Sequence, residues 1–163
     1  MFEYATPEWL EAVKKTYNAD PGNAMLKRLK KICFCYRIKA DPAYGIDPDL
    51  YFICGLDDAV LKELRFATPE ESKKVAGWVL SAPFQLWKRI IRKEYRFITA
   101  VIHGDVPIET GDKAELIGRT SWAADQLVSN FYKTETKFPD EMSPDELTAY
   151  KAKVSGFRKK LGV

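Results

Sequence analysis

The stretch Arg96-Phe97-Ile98-Thr99-Ala100-Val101-Ile102-His103-Gly104-Asp105-Val106-Pro107-Ile108-Glu109-Thr110-Gly111-Asp112-Lys113-Ala114-Glu115-Leu116-Ile117 decides how the whole chain is read. Three local patterns meet in it. Phe97, Ala100 and Val101 recur at helical spacing, and Gly104 ends that helix because glycine reaches positive φ without a Cβ clash. Val106 and Ile108 then alternate with Asp105, Pro107 and Glu109, the period of a half-buried strand. Gly111 breaks the strand, and Asp112 is placed to cap a following helix. The spacing predicts a short helix, one strand and a long helix from Lys113 to about Phe131, joined by two glycine turns. On that long helix Leu116, Ile117, Ala123, Ala124, Leu127, Val128 and Phe131 share one broad apolar face.

Upstream, Thr6-Pro7-Glu8 opens a helix, with Thr6 as cap, Pro7 in the first turn and Trp9, Leu10, Val13 and Tyr17 on its apolar face. A short second helix follows over about Ala24 to Lys30, with Met25, Leu26 and Leu29 apolar. Residues 32–39 alternate as a strand: Ile32, Phe34, Tyr36 and Ile38 on one face, Cys33, Cys35, Arg37 and Lys39 on the other. Leu50 to Gly55 is a second strand. Val60 to Phe66 reads as a third strand or a short helix, and strand is preferred because it completes a meander. Thr68-Pro69-Glu70-Glu71 is a capping box opening about one helical turn. Lys74 to Leu80 reads as the fourth strand, Ser81 as the cap of a helix from Pro83 to Lys93, and residues 105–109 supply the fifth. Near the end, Ser143-Pro144-Asp145-Glu146 is a further capping box, opening a lysine-rich helix with a thin apolar stripe.

The chain has 163 residues, enough for one domain with a real core, and its 46% hydrophobic and 30% charged content is that of an ordinary globular protein. A net charge of +3 permits an anionic partner without demanding one. The basic residues are not interleaved with aromatics in a nucleic-acid module, so no nucleic-acid partner is expected. Cys33, Cys35 and Cys54 lack zinc-site spacing and read as reduced thiols in strands, which fits a reducing compartment. No apolar run approaches the ~20 residues of a membrane span. Neither a signal peptide nor a peroxisomal C-terminal tripeptide is visible, and a cytoplasmic protein is expected. His103, the one histidine, stands at a helix C-terminus with no nucleophile or carboxylate in a recognised motif.

The order of these elements resembles the sterol carrier protein family over about residues 5 to 132. Four pieces carry the resemblance. Pro7-Glu8-Trp9-Leu10 looks like that family's opening helix, and Thr68-Pro69-Glu70-Glu71 like its mid-chain capping turn. Trp78-Val79-Leu80-Ser81-Ala82-Pro83-Phe84-Gln85-Leu86-Trp87 is similar to its strand-into-helix junction. The segment Ala100 to Asp112 follows its pattern of apolar pairs between two glycines. One departure is Pro107, which cannot donate to a ladder and therefore places the last strand at a sheet edge.

The resemblance implies an α+β fold: a five-stranded, largely antiparallel sheet covered by helices, with an apolar cavity between them. Residues 1–135 would form the lipid-binding domain of a stand-alone microbial protein, and 136–163 a helical extension packed on it. It implies non-enzymatic binding or transfer of a long-chain lipid (fatty acid, acyl-CoA, phospholipid or a sterol-like molecule), with no cofactor and no metal. The expected lining is Phe34, Tyr36, Phe52, Trp78, Leu80, Phe84, Trp87, Ile91, Phe97, Val101, Val106, Ile108, Ile117 and Leu127, around a cavity on the order of several hundred Å³. Two basic clusters, Lys88, Arg89, Arg92, Lys93 and Arg96, and Lys27, Arg28, Lys30 and Lys31, suggest transient contact with an anionic membrane. Two other readings stay open: a structural or interaction domain whose aromatics fill the cavity, and an accessory acyl-binding subunit of a lipid-metabolising enzyme.

Overall fold

The computed structural model describes every residue from Met1 to Val163. Along the first half run β1 (Phe2–Glu3), α1 (Pro7–Ala19), a 3₁₀ segment (Pro21–Leu29), β2 (Ile32–Ile38), β3 (Leu50–Asp57), β4 (Val60–Ala67) and α2 (Pro69–Val75). Then come β5 (Trp78–Ala82), α3 (Phe84–Ile91), α4 (Phe97–His103), β6 (Ile108–Thr110), α5 (Lys113–Thr120), α6 (Ala124–Tyr132), β7 (Thr136–Lys137) and α7 (Pro144–Leu161).

The main sheet has the order β4-β3-β2-β5-β6. Its pairs are antiparallel except β2–β5, which run parallel and need the α2 crossover. The fold is thus the α+β architecture expected, with a mostly antiparallel five-stranded sheet. Alternation along β2 sends Ile32, Phe34 and Ile38 to the main core. The opposite face carries Cys35, which packs with Ala76 and Val79 in a small second cluster beside Cys33 and Tyr51. Burial pushes the Cys33 and Cys35 thiols up to about 11, so both are protonated and sluggish nucleophiles at neutral pH.

Thr6, Thr68, Asp112 and Ser143 each cap a helix through the side chain, as their positions require. Residues 60–67 form a strand, and a register shift opposite Gly55/Leu56 explains their helix-like spacing. Leu56 faces Leu61 while Gly55 faces Glu63, so Lys62 is an extra residue and the inward Leu61 and Leu64 stand three apart. β6 lies at the sheet edge but spans only Ile108–Thr110, so Pro107 precedes the strand expected over 105–109, and its carbonyl accepts from the Ser81 N–H at 3.2 Å.

Several elements depart from the sequence reading. α2 continues through Lys74 and Val75, and β5 begins only at Trp78 and extends to Ala82, because its parallel register with β2 runs on to Ile38↔Ala82. Ser81 is therefore a fully buried strand residue and not a helix cap. The helix over Ala24 to Lys30 is a 3₁₀ segment that buries Asn23, Leu26 and Leu29 and leaves Met25 exposed. The single long helix is two, α5 and α6, broken at residues 121–123. At the break, Thr120 Oγ1 donates to the Leu116 carbonyl at 2.7 Å and Trp122 Nε1 to the Arg119 carbonyl at 2.9 Å. The side chain of Arg119 leaves the helix to donate to the Leu29 and Lys31 carbonyls, both at 3.0 Å.

A second, two-stranded parallel sheet joins β1 to β7 and had no signal in the sequence. α7 docks alongside: Tyr150 donates to the Tyr4 carbonyl at 2.9 Å, and Arg158 donates to the carbonyls of Pro48 at 2.6 Å and Asp49 at 3.0 Å. Phe157 stacks on Phe66 with centroids 4.9 Å apart.

Gly111 is the most tightly enclosed glycine of the chain. Its φ is +99°, and a Cβ there would lie 2.4 Å from both the Gly77 carbonyl oxygen and Trp78 Cδ1. Gly111→Ala therefore combines left-handed strain with a backbone clash, and is expected to destabilise the protein by about 3 kcal/mol or more. Urea unfolding followed by circular dichroism measures it; a cost below about 1 kcal/mol would show that the β5–β6 corner is not held this tightly.

Candidate functional site

Helices α3, α4 and α6 cross the core face of the sheet, and an apolar crevice remains beneath them. Phe34, Tyr36 and Phe52 form its floor on β2 and β3. Trp87, Ile90 and Ile91 come from α3 and Phe97 from α4. Ala124, Leu127, Val128 and Phe131 come from α6, with Thr120 at the α5 end and Tyr4 completing the wall. Twelve of these 13 residues are hydrophobic. The exception, Thr120, has its O–H engaged by the Leu116 carbonyl. Burial holds the Tyr4 and Tyr36 phenols well above their ordinary pKa, so neither ionises.

The open volume is small, about 40 Å³, far from the several hundred expected. Aromatic rings occupy the rest. Tyr36 packs on Phe52 at 5.1 Å, stands edge-on to Trp87 at 5.4 Å and meets Phe131 at 6.3 Å. The N–H of Trp87, the tryptophan in the lining, is bonded elsewhere: it donates to the Arg37 carbonyl at 3.2 Å. Its ring is thus free to serve as purely apolar surface.

Beside the crevice, at its mouth, lies a second space of about 270 Å³ lined by Ile90, Lys93, Tyr95, Arg96, Phe97, Asp125 and Val128. Ile90, Phe97 and Val128 line both spaces, so the apolar interior and the charged rim share one wall. Arg96 pairs with Asp125 at 2.9 Å, and the Lys93 ammonium lies 4.8 Å above the Tyr132 ring.

Half of the expected lining residues are in the crevice: Phe34, Tyr36, Phe52, Trp87, Ile91, Phe97 and Leu127. Trp78, Leu80, Phe84, Val101 and Val106 are buried core away from it, and Ile108 and Ile117 pack at the core's margin. Trp78 is turned toward the β5–β6 corner, where its N–H donates to the Asp112 carbonyl at 2.9 Å. The lining residues absent from the expectation are Tyr4, Ile90, Thr120, Ala124, Val128 and Phe131. Ala124, Leu127, Val128 and Phe131 share the i, i+3, i+4, i+7 spacing of one helical face, which was signal enough to find all four. Tyr4 carried none, because its place depends on β1 pairing with β7.

The basic clusters fare differently. Lys88 is paired with Asp140 at 2.8 Å and Glu141 at 3.0 Å, and Arg92 with Glu141. Lys27, Arg28, Lys30 and Lys31 form no ion pair, and Arg28 lies 4.9 Å over the exposed Trp122. His103 sits at the end of α4, where its Nδ1 is 3.1 Å from the Tyr95 hydroxyl, which in turn donates to Asp105 at 2.6 Å. His103 and Asp105 are exposed and lie apart from the crevice lining, while Tyr95 is half-buried and lines the mouth.

A five-stranded sheet of this order, with helices laid across one face and an apolar crevice beneath them, is the sterol carrier protein fold. The solution structure of the conserved hypothetical protein TT1886 of Thermus thermophilus, described as a candidate sterol carrier protein, matches with a TM-score of 0.71 at 17% identity, covering 81% of this chain and 90% of that one. The crystal structure of sterol carrier protein 2 matches with a TM-score of 0.69 at 17% identity, covering 80% of this chain and 98% of that one. No protein-family model and no curated protein matches the sequence.

What holds α6 over the crevice is a buried amide cluster. Asn23 Nδ2 donates to the Tyr17 carbonyl at 2.7 Å and to Asn130 Oδ1 at 2.9 Å, while Asn23 Oδ1 accepts from Gln126 Nε2 at 2.7 Å and Asn130 Nδ2 at 3.1 Å. Asn130→Ala strands part of the Asn23 amide, and is expected to lower the unfolding free energy by about 2 kcal/mol. Urea denaturation checks this, and a neutral substitution would show that water or relaxation replaces the cluster.

Proposed function

We propose that the protein is a non-enzymatic lipid carrier that takes a single acyl chain into the crevice under α3, α4 and α6. The observation that carries this reading is the lining itself: 12 of 13 residues are hydrophobic, and three of them also line the wider space beside it. Transfer of a chain from water into such surroundings gains about 0.8 kcal/mol per methylene. The small free volume favours a flexible chain over a rigid ring system, since a chain can enter as Leu127, Val128 and Phe131, all half-buried, move apart. No lining side chain offers a nucleophile or an ionisable acid–base pair, which supports binding without chemistry. Sterol carrier protein 2, with the same fold, is by its name a carrier of sterol.

Loading from a membrane suits the face formed by Lys27, Arg28, Lys30 and Lys31 beside the exposed Met25 and Trp122. Unpaired cations flanking apolar tips are the chemistry of an anionic bilayer surface, at about 1 kcal/mol per basic residue. No helix is long and apolar enough to cross a membrane. The three free thiols fit action in the cytoplasm.

Two experiments test the proposal. Mass spectrometry of gently purified protein is expected to find a co-purified acyl lipid, and Ala124→Leu, which fills the crevice, is expected to weaken uptake of a fluorescent fatty acid at least tenfold without lowering the melting temperature; unchanged uptake would move the site elsewhere, and absence of lipid and uptake altogether would favour an interaction domain with a filled interior. Sedimentation with phosphatidylserine vesicles, weak with phosphatidylcholine and lost at high salt, is expected to disappear in the double variant Lys27→Glu, Lys31→Glu, and its persistence would rule out this face.

A further inference from the structure

The mouth of the crevice has a charge and backbone geometry that the apolar interior does not explain. Lys93 and Arg96 stand on its rim with one acid, Asp125, so the rim carries an excess of one positive charge. Arg96 and Asp125 satisfy each other at 2.9 Å, both in an exposed setting. Lys93 has no carboxylate within ion-pair distance, and only the Tyr132 ring lies beneath its ammonium.

Lys93 also has φ +60°, in the left-handed region. It follows the last turn of α3, where glycine is the residue that adopts this conformation without a Cβ penalty. A lysine there accepts backbone strain, and the residue lines a space whose apolar wall is Ile90, Phe97 and Val128.

We propose that this rim is the headgroup subsite for an anionic single-chain lipid: the chain lies in the crevice, and the carboxylate or phosphate at its end is held by Lys93 Nζ and by the Arg96 guanidinium. Asp125 is the resident anion that the head displaces from Arg96. The pairing is energetically reasonable because an exposed Arg96–Asp125 bridge is weak and readily exchanged, whereas a head anchored by its own buried chain loses no separate association entropy. A neutral head, a hydroxyl or a sterol ring, leaves Lys93 without a partner. The inference thus deepens the lipid-carrier reading and rests on it.

The test compares three ligands of equal chain length, hexadecanoate, hexadecyl phosphate and hexadecan-1-ol, by quenching of tryptophan fluorescence, since Trp87 lines the crevice. The wild-type protein is expected to bind at least one of the anions about tenfold more tightly than the alcohol, and the anion preferred names the head. In the double variant Lys93→Gly, Arg96→Gln the ratio is expected to fall below about twofold. Lys93→Gly alone is expected to keep or raise the melting temperature, because glycine suits φ +60°, so a loss of preference cannot be ascribed to unfolding. Equal binding of all three ligands by the wild type, or a preference retained in the double variant, overturns the headgroup subsite and leaves the carrier reading standing. Binding of none of the three overturns both.

Discussion

The parallel register between β2 and β5 is the constraint on which the rest of this structure depends. β5 is buried along its whole length, with Trp78, Leu80 and Ala82 facing the main core and Val79 facing the second cluster. A strand buried on both faces cannot be reached by a hairpin from its parallel neighbour, so the chain must cross over through α2. That crossover leaves one open flank on β5, and the short β6 fills it. The glycine at Gly111 follows from the same demand, since the Gly77 carbonyl approaches it too closely for a side chain there. The helices that follow β5 then have one face of the sheet to cover, and the crevice is what their covering leaves open.

What could be read from the sequence was whatever a short window specifies. Capping residues at Thr6, Thr68, Asp112 and Ser143, the alternation along β2 and the edge position implied by Pro107 all act within a few residues, and each has its structural counterpart. The elements that escaped depend on partners far along the chain. The end of β5 is set by β2, which is why Ser81, a plausible cap by type, is a strand residue. The break between α5 and α6 is set by Arg119 reaching the carbonyls after the 3₁₀ segment, about ninety positions away. β1 and β7 are two residues each, too short for periodicity to register.

The crevice shows the same division. An inward apolar residue on the correct face was identifiable, but whether it touches a cavity or another side chain is decided by packing. Leu80 and Phe84 are as apolar as Phe34 and Trp87, yet they are filled core. The interior is crowded by rings, and this sets its character: Tyr36 packs against both Phe52 and Trp87, so its ring cannot turn without displacing theirs.

The two walls of the crevice are fastened by different kinds of bond. α3 is strapped to the segment before α7 by Lys88 and Arg92 on Asp140 and Glu141, with both cations also lying over the Phe138 ring. α6 is fastened along its length by neutral amides, Asn23, Gln126 and Asn130, and carries ion pairs only at its two ends, Asp125 with Arg96 and Lys133 with Asp20. Ion pairs weaken as salt rises and amide hydrogen bonds do not, so ionic strength acts on the α3 strap and on the ends of α6 but not on the amide cluster between them. The width of the crevice is thereby coupled to the electrolyte around the protein, while the amide cluster keeps the middle of α6 seated.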